Sequence, residues 1–142
     1  MKSIPALFCA LALVGCESSR QISSVRDDHT AFAIKGTDAK RAIDSTLATH
    51  IPPERIDHTP RAGITGSGSM QSGEAVQYIT ISALPVSGVN ARGEILEGYG
   101  FTVTDSGAVV NDLLPRLLYG LVKQEARGYG EILATARPQQ GE

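Results

Sequence analysis

The sequence predicts an α+β domain in which a small antiparallel sheet of about three to five strands is covered by two helices. The sheet is expected to be centred on 75–104, where two extended segments, 75–84 and 94–104, are separated by turn-forming residues. Successive strands joined in this way pair as an antiparallel hairpin by default. The covering helices are expected at 38–49 and 113–126, because apolar residues recur there at the spacing of one helix face.

The first predicted elements are a short strand and a helix. The stretch 30–35 has the composition of a short strand, and 38–49 follows it as an amphipathic helix. Four residues share the apolar side of this helix: Ala39, Ala42, Ile43 and Leu47. Pro52 and Pro53 forbid its continuation, because proline lacks an amide hydrogen and clashes with the preceding turn.

The segment 54–74 shows neither a helical nor a strand period and is rich in glycine, serine and threonine. A stretch of this length without secondary structure in a small domain is usually functional or disordered. We therefore predict a flexible loop here. The run Gly66, Ser67 and Gly68 is no phosphate-binding loop, because it lacks the following Lys-Ser or Lys-Thr.

The segment 75–84 carries the clearest strand signal in the chain. Three apolar residues alternate there with more polar ones: Ile79, Ile81 and Ala83. Pro85 is expected to end this strand. In the second strand, Gly98 and Gly100 are expected to weaken the pairing around Tyr99, because glycine has no side chain to pack.

The helix at 113–126 carries a broad aliphatic stripe. Its members are Leu114, Leu117, Leu118, Leu121 and Val122. Gly128 is well placed to end the helix. A last short strand is expected at 131–136, and the tail 138–142 is expected to be disordered.

The N-terminal residues have the order of an export signal. Lys2 supplies a positive charge, and 4–14 then runs without another charged residue. This apolar run is too short to span a bilayer, which needs roughly 20 helical residues. Residues 1–15 are therefore predicted to be a cleaved signal peptide.

Leu13, Val14, Gly15 and Cys16 close this segment and resemble the lipobox of bacterial lipoproteins. The resemblance implies that Leu13, Val14 and Gly15 are recognised by the signal peptidase. It also implies that the Cys16 thiol forms a thioether to diacylglycerol and that Cys16 becomes the new N-terminus, anchored in a membrane by acyl chains such as palmitate.

The lipoprotein resemblance also bears on location and domain organisation. Residue 17 is Glu, whereas Asp there is the inner-membrane retention signal in lipoproteins of enteric-type bacteria. The resemblance thus implies the outer rather than the inner membrane, with the domain facing the periplasm. We expect 16–30 to form a flexible tether and 31–137 to form a single domain. Cys9 lies in the removed segment, so the mature chain has no pair of cysteines for a disulfide.

The charge balance argues against one class of partner. Removal of residues 1–15 leaves twelve basic and fifteen acidic side chains, a net charge of −3. Nothing in this balance favours nucleic acid, so none is expected as a partner.

The sequence predicts no catalytic residue, metal ligand or cofactor. His29, His50 and His58 do not have the helical i, i+4 spacing of a zinc site. His50 has a structural reason to close its helix, because a histidine there interacts favourably with the helix dipole. The G-x-S-x-G turn of a serine hydrolase is also missing. We therefore expect a protein that is not an enzyme.

Three tyrosines are the candidate partner-binding residues. Tyr99 and Tyr129 stand next to glycines, and Tyr78 lies on the more polar side of its predicted strand. An aromatic ring with a polar tip suits a protein interface. For each of the three, the alternative is a place over the edge of a small core.

A further resemblance concerns the first helix. The segment that begins with 38–43 and ends with Ile51, Pro52 and Pro53 looks like the early helix of TrbH-type conjugal transfer lipoproteins. It covers about 16 residues of the chain. The family's next helix ends in a Gly-Tyr pair before a strand, whereas Gly98 and Tyr99 here follow predicted strands.

These observations predict a lipid-anchored envelope protein that binds or positions a protein partner as a non-enzymatic accessory. Two other functions stay open. One is a component of a conjugation or secretion apparatus, and the other is an envelope hydrolase or ligand-binding lipoprotein that uses 54–74 as a lid over a site containing His50 and His58.

Overall fold

A computed structural model describes residues 23–25 and 30–135. These residues form one seven-stranded antiparallel sheet and two helices, so the predicted α+β class is confirmed. The strands are β1 (Ser23–Val25), β2 (Thr30–Phe32), β3 (Ile56–Asp57), β4 (Ile64–Ser72), β5 (Ala75–Val89), β6 (Ile95–Gly107) and β7 (Ile132–Ala134). The helices are α1 (Gly36–His50) and α2 (Leu114–Arg127), and a 3-10 turn, Pro53–Arg55, follows α1.

The sheet is built around the long hairpin of β5 and β6. Its order is β1-β6-β2-β7-β5-β4-β3, and β5 also pairs with β6 along the whole length of β6, from Gln77 opposite Gly107 to Val89 opposite Ile95. The count of seven exceeds the three to five strands predicted. Four of the seven are only two or three residues long, which is too short for a strand period to show in the sequence.

Both helices cover the same face of the sheet. Their apolar stripes meet the inward-facing residues of β5 and β6 in one core, which includes Ile43, Leu47, Ile81, Val103 and Leu118. The two helices lie where the sequence predicts them, to within two residues at each end. Within the described residues, neither helix has the length and apolar content needed to cross a membrane.

The prediction of a flexible loop at 54–74 is wrong. This segment contains β3 and the nine-residue strand β4, which pairs with β5. A Cβ atom at Gly66 would lie 2.6 Å from Cγ2 of Ile43 and 2.8 Å from Cδ1 of Leu47. The helix α1 packs directly on the backbone of β4, so glycine is needed on its buried face. The strand therefore lacks the alternating apolar side chains by which a strand is recognised in a sequence.

The prediction that Pro85 ends the strand is also wrong, because β5 continues to Val89. The pairing between β4 and β5 ends at Ala83, opposite Ile64. Beyond that point β4 no longer pairs with β5, so a proline costs no ladder hydrogen bond on the β4 side. The hairpin residues past this point, 84–89 and 95–100 with the turn 90–94, are called the arm.

Two short strands close the arm into a ring. β2 pairs with β6 at Tyr99 and with β7, and β7 pairs with β5 at Val89. The fully buried side chain of Leu133 packs at Gly88 and Gly98, whose missing side chains leave the space that it needs. Gly98 thus permits this close approach, and the strand runs unbroken through it.

The domain begins earlier in the chain than the sequence predicts. Residues 23–25 pair with 103–105 of β6, and Thr30 belongs to β2. The domain therefore begins before residue 31, because the edge of β6 offers unpaired hydrogen-bonding groups to the chain. The predicted signal peptide 1–15, the rest of the tether and the tail 138–142 lie outside the described residues.

Candidate functional site

The three candidate tyrosines do not form one surface. Tyr78 is 56% exposed and pairs with Ser106, whereas Tyr99 pairs with Pro85 and packs against the core. Seven residues along β6 separate the two pairs, which corresponds to roughly 23 Å. Tyr129 is exposed and borders a shallow depression with Leu96. Tyr99 and Tyr129 therefore lie at the arm, and Tyr78 lies at the opposite end of the sheet.

The arm exposes several large apolar side chains. Ile95 is 75% exposed and pairs with Val89, which is also exposed, so these two side chains lie on one face of the hairpin. Ile132 of the adjoining strand β7 is exposed as well, whereas Leu84, an odd number of residues from Val89, is exposed on the opposite face. Isolated exposed apolar residues are common on proteins, but a group of them marks a contact surface more often. Sequence reasoning missed this group because 87–93 has the composition of a loop. The signal that could have revealed it is the pair of aliphatic residues flanking the turn, Val89 and Ile95.

The turn of the arm is held by polar contacts. The nearly buried Asn90 accepts the amides of Arg92 and Glu94 through Oδ1, each at 2.9 Å, and donates from Nδ2 to Oε1 of Glu94 at 2.7 Å. Arg92 also approaches Glu131, at 3.4 Å. The hydrogen bonds from Asn90 and Arg92 lower the pKa of Glu94. These contacts restrain the turn, and a preorganised surface loses less entropy on binding.

A cleft of about 560 Å³ lies between α1 and the segment 56–67. Its lining is mixed, with an apolar part and charges of both signs. The lining residues are Lys40, Asp44, Leu47, Ala48, Ile56, Asp57, His58, Thr59, Pro60, Arg61, Gly63, Thr65, Gly66 and Ser67. Its size falls in the range of small-molecule sites.

The charged groups of the cleft are paired with one another. Lys40 Nζ lies 3.0 Å from Oδ1 of Asp44 and donates to the Thr65 carbonyl at 2.8 Å. Arg61 lies 3.0 Å from Oδ2 of Asp57. Both ion pairs are exposed to solvent, so they position side chains more than they stabilise the fold. The i, i+4 spacing of each pair is visible in the sequence and could have identified them.

Asp57 organises the rim of the cleft. Its pKa is lowered from 3.8 to about 2, because the hydroxyl and the backbone amide of Thr59 donate to the carboxylate and because Arg61 lies beside it. The folded pKa is below the unfolded one, so the stabilising effect is complete above pH 3.8 and is lost as the pH falls towards about 2. At neutral pH the carboxylate is ionised and holds the segment that carries His58.

The structure separates the histidines. His58 lines the cleft, and His50 closes α1 without lining the cleft. His29 lies outside the described residues. Ser67 also lines the cleft, and its Oγ lies 3.1 Å from Oγ1 of Thr80. That contact joins two hydroxyls, neither of which can serve as a general base for the other at neutral pH.

Among residues 23–25 and 30–135, no three His, Cys, Asp or Glu side chains are placed to hold a metal ion. The residues that resemble a lipobox, Leu13, Val14, Gly15 and Cys16, lie outside the described part of the chain. Comparisons of this chain with protein families, with curated proteins and with solved structures found no match. The resemblances to bacterial lipoproteins and to the TrbH type therefore stay predictions.

Proposed function

We propose that this chain is a lipid-anchored protein of the bacterial cell envelope, whose domain faces the periplasm and binds a protein partner without catalysing a reaction. One observation carries the anchor: Leu13, Val14, Gly15 and Cys16 follow a charged residue and an uncharged apolar run. An apolar run of this length serves export but does not span a bilayer. Glu17 supports the outer membrane as the destination.

The anchor is tested by replacing the cysteine that would carry it. We expect Cys16→Ser to abolish the incorporation of labelled palmitate and to leave an uncleaved precursor, because serine cannot form the thioether. The matched control is Cys9→Ser, which lies in the segment predicted to be removed and should be labelled like the wild type. Fractionation of cells on a density gradient then locates the labelled protein. Palmitate labelling of Cys16→Ser at the wild-type level would contradict the proposal.

The arm is the surface that best supports partner binding. Exposed aliphatic side chains stand there beside a charged rim formed by Arg92, Glu94 and Glu131. Protein interfaces commonly combine an apolar centre with a polar rim. The partner that fits is a protein with an exposed apolar patch of its own.

The cleft supports a second candidate, a ligand-binding lipoprotein, because its volume suits a small molecule. One experiment separates the two candidates. A photo-crosslinking residue placed at Ile95 is expected to give a discrete protein adduct in intact cells, and the same residue at His58 is expected to give none. Both side chains are exposed, so neither change should disturb the fold. The absence of a protein adduct at Ile95 would overturn the assignment of the arm, whether or not His58 gives one.

A further inference from the structure

The end of the sheet opposite the arm carries a second group of exposed apolar side chains. Leu113 is 66% exposed, Tyr78 is 56% exposed and Val109 is 51% exposed. These three residues are called the proximal patch. All three lie at the end of the sheet where β6 stops, since Tyr78 pairs with Ser106 and the chain continues from Gly107 through Val109 to Leu113.

The proximal patch is fixed to the sheet by the side chain of Gln77. Its Oε1 accepts the amides of Val110 and Asn111, at 3.2 Å and 2.9 Å. The side chain of Asn111 in turn accepts the amide of Leu113 at 3.0 Å. These bonds hold 109–113 in place, so its apolar side chains are presented to the outside by a fixed backbone.

The path of the chain leads to this end of the domain. β1 runs antiparallel to β6, with Ser23 opposite Asp105 and Val25 opposite Val103. The backbone therefore enters β1 from the side on which β6 ends at Gly107, next to Tyr78. Six residues separate Ser23 from Cys16, and the seven peptide steps between them span at most about 25 Å in any conformation.

This distance excludes one orientation of an anchored domain. Ten residues along β6 separate Asp105 from Ile95 at the arm, which corresponds to roughly 33 Å. Suppose that the end of the arm lay on the bilayer with β6 perpendicular to the membrane, an orientation called upright. Ser23 would then be roughly 33 Å from the membrane, whereas the chain to Cys16 spans at most about 25 Å. An upright domain therefore has its proximal patch towards the membrane and its arm away from it.

We infer that the proximal patch rests on the surface of the lipid bilayer while the arm points into the periplasm. This inference rests on the proposed lipid anchor. Tyrosine is enriched where membrane proteins meet the interface, and aliphatic side chains gain from burial among acyl chains. Among the described residues, the exposed charges at this end of the sheet are Glu74, Asp112 and Arg116, two acidic and one basic, so the contact is apolar and does not require anionic lipid.

The absence of tryptophan from the chain allows a direct test. We would introduce one reporter at a time as Leu113→Trp and as Ile95→Trp, at two highly exposed positions on opposite ends of the sheet. The full lipidated protein is reconstituted in phosphatidylcholine vesicles whose acyl chains are brominated near the headgroup. Bromine quenches tryptophan on contact, so Leu113→Trp should lose most of its fluorescence and Ile95→Trp should keep it.

Two readouts on the same sample keep the inference and the anchor apart. Mass spectrometry of the N-terminal peptide reports acylation of Cys16, and unbrominated vesicles report the unquenched signal. If the protein is acylated and Leu113→Trp is quenched no more than Ile95→Trp, the orientation is overturned and the anchor stands. If no acyl mass is found, the proposed anchor and this inference fall together.

Discussion

We expect Gly98→Ala to be among the most destabilising single substitutions in this domain. A Cβ atom at this position would overlap the carbonyl oxygen of Phe32 and would lie 3.1 Å from Cδ1 of Leu133. The oxygen belongs to the backbone of β2, so it cannot move aside without disturbing the pairing of Phe32 with Tyr99. Overpacking of this kind costs typically about 1–3 kcal/mol, and a backbone clash belongs at the upper end.

Gly100→Ala is the matched control for this prediction. Gly100 lies two residues further along β6, and its nearest neighbour would be the Thr30 oxygen at 3.7 Å, an ordinary contact. Alanine there should leave the stability unchanged or raise it by roughly 0.5–1 kcal/mol, because glycine loses more entropy on folding. Urea denaturation followed by circular dichroism measures both variants. Equal midpoints would show that the ring at the arm does not depend on the approach of β2.

Replacement of Gln77 is expected to have an effect of similar size. Its side chain is completely buried, donates to Oδ2 of Asp105 at 2.8 Å and accepts two backbone amides of the segment that follows β6. Gln77→Met keeps the length of the side chain and removes its hydrogen bonds. The buried carboxylate of Asp105 then loses this donor, and the partly buried amides of Val110 and Asn111 lose their acceptor. The expected loss is about 2 kcal/mol of unfolding free energy, since an unsatisfied buried group costs about 1–3 kcal/mol.

Gln71→Met provides the comparison, because it makes the same chemical change at an exposed site. Gln71 donates to the Gly73 carbonyl at 2.9 Å in the turn between β4 and β5, and an exposed change of this kind stays within about 0.5 kcal/mol. Hydrogen exchange adds a local readout, since the amides of Val110 and Asn111 should exchange faster in Gln77→Met alone. Unchanged exchange at these two amides would mean that Gln77 does not hold the segment.

The sequence by itself determined the α+β class, both helices and the central hairpin. Each of these elements carries a periodic set of apolar residues, because one of its faces is buried along its whole length. The buried polar residues Gln77 and Asp105 follow the same period. Gln77 lies on the buried face of β5 with Ile79 and Ile81, and Asp105 lies on that of β6 with Val103. The resemblance of 13–16 to a lipobox is also a property of the sequence alone, and the anchor proposed from it needs no knowledge of the fold.

Only the tertiary structure decided where β4 lies, how far β5 extends and how the arm closes into a ring. At Gly66 and Gly98 the deciding property is the closeness of another element, Ile43 of α1 in one case and the backbone of Phe32 in the other. Neither neighbour is local in the sequence, and glycine carries no hydropathy signal. Pro85 is tolerated for a similar reason, because β4 has ended at that point. A local pattern records which side of a segment is buried, whereas the partner that approaches it is fixed only when the chain has folded.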